Sequence, residues 1–431
     1  MEGILKNSLK LPIIECVMIF FIYIFSIYNA NAQIVEPGGM PEDVNLAINH
    51  PHEYAWKLFF FLNHQAQQGS AGVPDSAKAS IRDYDADHDV VWETWANATG
   101  GLFLRPGEQN TSEVYKDGGI DPGPWEALPR ATSPRKHLDP NTTVLFSNLR
   151  SNVLTIPRRD TERSGFGPFV APGVTVEGEF EVRMNKSTFD TIRSKRLYSV
   201  EGLIASFLDA KQNNNPLSIQ FDLESKEVKA KWVRLANEED KQRYHWRTIE
   251  FVNDSGQTVR ETWGLSGLHI ITKDLPQWFW TDFEHVDQEP QAIKEGRPSI
   301  DPTTRGPNAP AGKDGVRNET VGSKWRYYRL RGVQLTFTDQ FGKPLELANT
   351  LIEPINSGPS SCLTCHAKAT ISDRINHSIA DQPFLINSLQ PEFLLGLPDP
   401  DVFQINGQME YLQTDFLWSM PFRARGEKKP E

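Results

Sequence analysis

Between His52 and Gln67 the apolar residues Ala55, Leu58, Phe59 and Leu62 recur at helical spacing, and Trp56, Phe60 and Phe61 widen the stripe. The pattern predicts a mostly buried helix, preceded by an extended arm over 33–51. Beyond Val174 the period falls to two. In "VTVEGEFEVRM" Val176, Phe180, Val182 and Met184 alternate with charged residues, as in a half-buried strand. "TFDTIRSKR" then predicts a short helix capped by Ser187. "SIQFDLESKEVKAKWVRL" contains two alternating runs, with Val228, Ala230 and Trp232 on one face. "WGLSGLHIITK", "QWFWTDFEHV" and "WRYYRLRGVQLTFTD" predict further strands, and "FGKP" at Phe341–Pro344 turns the chain. Proline-punctuated stretches from Arg105 to Pro140 and from Gln288 to Glu319 are expected to be irregular. Several strands and scattered short helices predict an α+β fold, β-dominant, with an antiparallel β body.

The extreme N-terminus follows another pattern. Lys6 and Lys10 precede the apolar run Cys16–Tyr28, which is shorter than the roughly 20 residues of a membrane-spanning helix. Asn29-Ala30-Asn31-Ala32 then supplies small residues at an Ala-x-Ala site. A basic start, a short apolar centre and such a site predict a signal peptide over 1–32, cleaved after Ala32, and a periplasmic or secreted protein with no stable membrane span. An uncleaved anchor is the alternative.

Charge narrows the function classes. The chain has 45 Lys+Arg against 56 Asp+Glu, a formal net charge of −11, and no long basic run, so a nucleic-acid partner is not expected. Neither a Ser-His-Asp motif, a phosphate-binding glycine loop nor a dinucleotide fingerprint is present.

Cysteine usage is more specific. Of the 3 Cys, Cys16 belongs to the leader, which leaves Cys362 and Cys365 in "SSCLTCHAKAT". Cys-x-x-Cys-His suits covalent haem, because positions i and i+3 share one side of a helical turn and His366 follows as proximal iron ligand. Ser360 or Ser361 is placed to cap that turn, and Ala367, Lys368 and Ala369 to continue it. The alternatives are zinc, for which the mature chain has no second cysteine pair; a thioredoxin-like dithiol, whose βαβ context is missing; and a disulfide across a very short loop.

Through Cys362, Cys365 and His366 the segment 345–431 resembles the c-type cytochromes. The body, 33–344, is similar to large, poorly characterised exported bacterial mono-haem proteins through "EVKAKWVRL", "GLHIITKDLPQWFWTDFEHVD" and "SSCLTCHAKA". The resemblance implies one covalently attached haem c and either a redox partner protein or a small-molecule substrate. Met420 in "WSMPF" is the expected distal ligand, by likeness to the Met-Pro loops of small electron-transfer cytochromes; His377 or an open position are the alternatives. An occupied sixth position suits electron transfer, and an open one suits a haem oxidase or peroxidase-type enzyme. A haem-bearing sensor is a third reading. The chain ends soon after Met420, where the small carriers continue into a helix. "TDFLWSMPF" is loosely similar to a strand of small β-sheet mono-haem cytochromes, but no cross-linking lysine maps onto this sequence.

His269 and His285 are expected to be buried, hydrogen-bonded core histidines, with contact to the haem edge as the alternative. Asp282 and Glu284 are expected on a wet strand face. Trp278, Phe279 and Trp280 suit the core, or an electron path. His50-Pro51-His52 lacks a third metal ligand nearby. Asn349 and Glu353, just upstream of the cysteines, are placed to contact the haem.

Overall fold

The computed structural model describes residues 40, 43–83, 88–98, 102–103, 121–128, 179–252, 258–288, 320–349, 352, 360–373, 375–376, 382–383 and 395–424. Residues 1–32, His377, Glu353, most of 105–140 and 289–319 lie outside the described residues.

The strands of the main sheet are β1 (Ala96–Asn97), β2 (Glu179–Met184), β3 (Lys226–Arg234), β4 (Trp246–Val252), β5 (Thr258–Thr272), β6 (Phe279–His285) and β7 (Tyr328–Gln334). The helices are α1 (Val44–Asn49), α2 (Pro51–Leu62), α3 (Lys186–Ser194), α4 (Val200–Gln212), α5 (Cys362–Ala367) and α6 (Ser419–Arg423). All seven strands pair antiparallel in the order β1-β2-β3-β5-β6-β7, with β4 beside β6 along the same edge of β5. The architecture is α+β and β-dominant, as the alternating sequence predicts. No helix among the described residues is long and apolar enough to cross a membrane.

Opposed residues in antiparallel strands share a face, so the register sorts the side chains into two sets. Ala230, Leu268, Phe283 and Leu330 align across β3, β5, β6 and β7 on one face, with Val228 and Ile270 in the next row. Helix α2 covers this face. The Phe59 ring lies 4.5 Å from Phe283 and the Trp56 ring 4.9 Å from it. Tyr54 packs on Phe279 and donates its hydroxyl to Asp274 at 2.8 Å. Each large apolar side chain withdrawn from water here contributes about 1.5–3 kcal/mol. The opposite face aligns Lys229, His269, Asp282 and Gly332, then Glu227, Ile271, Trp280 and Gln334. It is polar and nevertheless buried, because the C-terminal segment lies over it.

Several local expectations shift. Part of the supposed extended arm is α1, capped by Asp43, whose carboxylate accepts from the amides of Asn45 and Leu46. Helix α2 stops at Leu62, because Asn63 turns its amide back to the Phe59 carbonyl and Gln65 bridges to Val90. Helix α3 is capped by Asn185, which accepts from the Thr188 amide, rather than by Ser187, whose hydroxyl meets that of Ser225. The first run of "SIQFDLESKEVKAKWVRL" is loop, and Trp325 lies in the 3-10 turn Lys324–Tyr327, before β7 begins at Tyr328. Strand β2 is buried on both sides along Glu181–Met184, since Glu181 and Arg183 pair with each other and hydrogen-bond to Trp232 and the Trp95 carbonyl.

Where the start of β4 meets the turn Val91–Thr94, a second buried polar group forms. His245 Nε2 lies 3.1 Å from Glu93 Oε1, Arg247 pairs with Glu93 and lies 3.9 Å from Asp89, and Lys324 is close by. Burial, reinforced by Arg247 and against the pull of Glu93, lowers the His245 pKa to about 3, and burial lowers that of Lys324 to about 7. Below pH 6.5 the unfolded His245 takes up a proton that the folded one refuses down to about pH 3, so stability falls as pH drops through that window. The Lys324 penalty is already complete below pH 7 and adds no slope there. Replacing His245→Gln, which keeps a donor for Glu93, should flatten denaturant-derived stability between pH 6.5 and 3 relative to wild type. Parallel curves for the two proteins would refute the assignment.

Candidate functional site

The site grows from α5 outward. The Ser361 hydroxyl accepts from the Thr364 amide at 3.0 Å, capping the helix as the sequence predicts. Gln334 of β7 then fastens the same end to the sheet, donating Nε2 to Ser361 Oγ at 2.7 Å and accepting from the Leu363 amide at 3.1 Å. At the other end the helix stops at Ala367, with Lys368 as its C-cap. Gln413 donates to the Ala367 carbonyl at 2.7 Å, and Leu412 and Gln413 pair antiparallel with Ile371 and Thr370. At Gly332 a Cβ would come within 2.8 Å of the Leu347 Cδ1 atom, which would have to shift.

Cys362 faces the sheet and is buried, whereas Cys365 and His366 are half-buried. Neither cysteine is in a disulfide. The Cys362 Sγ atom lies 3.0 Å from the Leu347 carbonyl and 3.5 Å from Asp282 Oδ2. Asp282, fully buried, also accepts from His269 Nδ1 at 2.9 Å and from Asn349 Nδ2 at 3.0 Å. Asp282 and Glu284 are therefore not on a wet face. The segment covering them comes from far downstream, and local alternation carries no sign of it. Asn349, expected to contact a haem, donates to the buried Asp282 carboxylate.

His366 is held from the other side. Its Nδ1 donates to the Phe416 carbonyl at 2.7 Å. A carbonyl only accepts, so the proton sits on Nδ1. Burial, with His269 nearby, holds the imidazole pKa well below its ordinary value. The ring is thus neutral, with the lone pair on Nε2, the form that ligates a metal. The ring of Trp280 lies 4.6 Å from His366, and that of His269 5.7 Å at an interplanar angle of 30°.

The Phe416 carbonyl is aimed by a turn that backbone preference alone disfavours. Asp415 and Phe416 have φ of 47° and 71°, in the left-handed region. The buried Asp415 carboxylate fixes that turn by accepting from Lys273 Nζ at 2.6 Å, Trp278 Nε1 at 3.3 Å and the Phe221 amide at 2.9 Å. Thr414 adds a bond from its amide to the Ala369 carbonyl. Sequence reasoning missed Asp415 entirely, because one acidic residue in "TDF" has neither period nor motif spacing.

No family model, curated protein or solved structure matches the chain. The functional reading therefore rests on this chain's own residues.

Met420 lies fully buried on α6, whose first residue, Ser419, donates to Glu227 of β3 at 2.7 Å. His285 is a core histidine, stacked on Tyr244 at 3.7 Å with Nε2 3.1 Å from the Arg243 carbonyl, and burial lowers its pKa to about 4. Trp278, Phe279 and Trp280 are all core residues. His269, Asp282 and Cys362 offer ligand atoms within 4.8 Å of one another. The hydrogen bond between His269 Nδ1 and Asp282 Oδ1 couples two of these groups directly, which favours mutual support over joint chelation.

Proposed function

We propose that the protein is an exported mono-haem c-type cytochrome that exchanges electrons with a redox partner. The observation that carries this reading is the pairing of Cys-x-x-Cys-His on a capped helix with a backbone acceptor on His366 Nδ1. That pairing leaves Nε2 of a neutral imidazole as an iron ligand. Cys362 and Cys365, at i and i+3 and both outside any disulfide, are the two thiols that haem vinyl groups require. These residues fit the group. When bound, the haem supplies a one-electron ferric/ferrous couple. The chain's part is to hold the proximal ring in one tautomer, through Phe416, and to keep water from the sheet side, through Trp280, Phe416 and Cys362.

Two further features support a carrier. Cys365 and His366 are only partly buried, unlike Cys362, so the group they hold would lie at the outer end of the site. The leader over 1–32 would deliver the chain to the compartment where c-type haem is attached. The test is to express the full chain in a host that matures c-type cytochromes and to stain a denaturing gel for haem. Stain migrating with the polypeptide and a reversible ferric/ferrous optical change are expected. A haem-free chain under those conditions would sink the reading.

A further inference from the structure

We propose that the two turns bearing Phe341 and Leu397 dock a separate electron-exchange protein whose contact surface is an apolar socket rimmed by lysine or arginine. The inference rests on the haem reading and names the chemistry of the partner.

Phe341 is the most exposed large apolar side chain among the described residues, at 84%, and Leu397 follows at 69%. A loose turn could fold such a ring inward, yet this one is fixed. The Asp339 amide donates to the Lys343 carbonyl at 2.8 Å, and the Gly342 amide to the Asp339 carbonyl at 3.0 Å. Asp339 Oδ1 accepts from the amides of Phe341 and Lys343 at 2.8 and 2.9 Å. Gly342 has a φ of 81°, which its missing side chain permits. The ring is presented from a preorganised tip, so binding it costs little ordering, and aromatic anchors of this kind dominate interface energies.

The two turns meet each other and α5. A Cβ on Gly396 would lie 3.6 Å from Pro344 Cγ, and Pro344 is itself exposed. Leu347 donates its amide to the Ser360 carbonyl at 3.0 Å and accepts from the Cys362 amide at 2.8 Å. Thr364 donates Oγ1 to the Gly396 carbonyl at 2.7 Å, and Cys365 comes next in the chain. A protein seated on these turns therefore sits beside the helix that carries the attachment motif. Electron exchange needs that short path.

Charge selects among the occupants. Residues 339–346 and 395–401 carry Asp339, Glu346, Asp399 and Asp401 against Lys343 alone. Such a rim attracts a basic partner and speeds its encounter. It repels an anionic lipid surface. It also repels a second copy of this chain, whose net charge is −11.

The test uses the full-length chain matured with haem and two purified probes of similar potential, one a small lysine-rich c-type cytochrome and one acidic. On haem-stained protein, stopped-flow mixing at low salt should show exchange about tenfold faster with the basic probe, and added salt should slow it. Phe341→Ser with Leu397→Ser should slow that exchange about tenfold and leave its salt dependence unchanged. Glu346→Lys with Asp401→Lys should slow it and flatten the dependence. All four residues are exposed, so the haem spectrum should not move. Equal rates with the two probes, or rates indifferent to both variant pairs, would overturn the docking surface while the haem stain stands. A dimer that Phe341→Ser dissolves, or binding of anionic vesicles through Phe341, would overturn it as well. Absence of stain overturns the haem reading and the redox role of the partner together. Calorimetric titration of the haem-free chain with the basic probe then decides the surface itself, since binding should weaken in both variant pairs.

Discussion

Replacing Cys362 and Cys365 together by serine should leave a folded chain that carries no covalent haem. The effect is large on one readout and small on the other, and the contrast makes it informative. The Cys362 Sγ atom sits 3.0 Å from the Leu347 carbonyl, where a serine hydroxyl can still donate. The cap of α5 comes from Ser361, and its fastening to the sheet from Gln334, so neither depends on sulfur. Unfolding of the double variant should stay within about 1–3 kcal/mol of the haem-free wild type, the range for one altered buried hydrogen bond. Haem stain that survives both replacements would refute the attachment site.

Asp415→Ala should produce the largest loss of stability. Its carboxylate pairs with Lys273, a side chain only 6% exposed, and takes two further hydrogen bonds from Trp278 and the Phe221 amide. Truncation leaves the Lys273 ammonium buried with the Pro276 carbonyl at 2.9 Å as its remaining oxygen in that group. Breaking a buried pair in this way costs about 3–5 kcal/mol. The left-handed turn at Asp415 and Phe416 also loses its clasp, and with it the aim of the carbonyl that sets the His366 tautomer. Urea unfolding checks the first effect. A midpoint close to wild type would show that the three donors do not hold the turn.

The two variants mark how far the sequence was legible. "GLHIITK" and "QWFWTDFEHV" announce β5 and β6 because alternation and β-branched content are local properties. Ser361 announces its cap for the same reason. The buried state of Asp282 and Glu284 is not local. It follows from a segment that folds back over the sheet, so their polarity alone suggested solvent. His269 could be placed on a strand from sequence, but its nearness to His366 depends on how α5 docks on β6 and β7. Asn185 and Ser187 are both good capping residues, and only the backbone geometry selects the first. Asp415 had no signal, since its three donors come from two distant stretches of chain, Phe221 and Lys273–Trp278.

The burial of Cys362 also bears on the order of events in the proposed haem attachment. In the folded chain this sulfur is only 5% exposed and faces Asp282 and Leu347, beneath α5. Under the proposed haem attachment, a machinery that must reach both thiols would meet a partly accessible Cys365 and a buried Cys362. Haem addition should therefore come before the C-terminal segment settles on the sheet, and a chain that folds too early should accumulate as a haem-free form. Folding speed, as much as the motif, would then set the yield of mature protein.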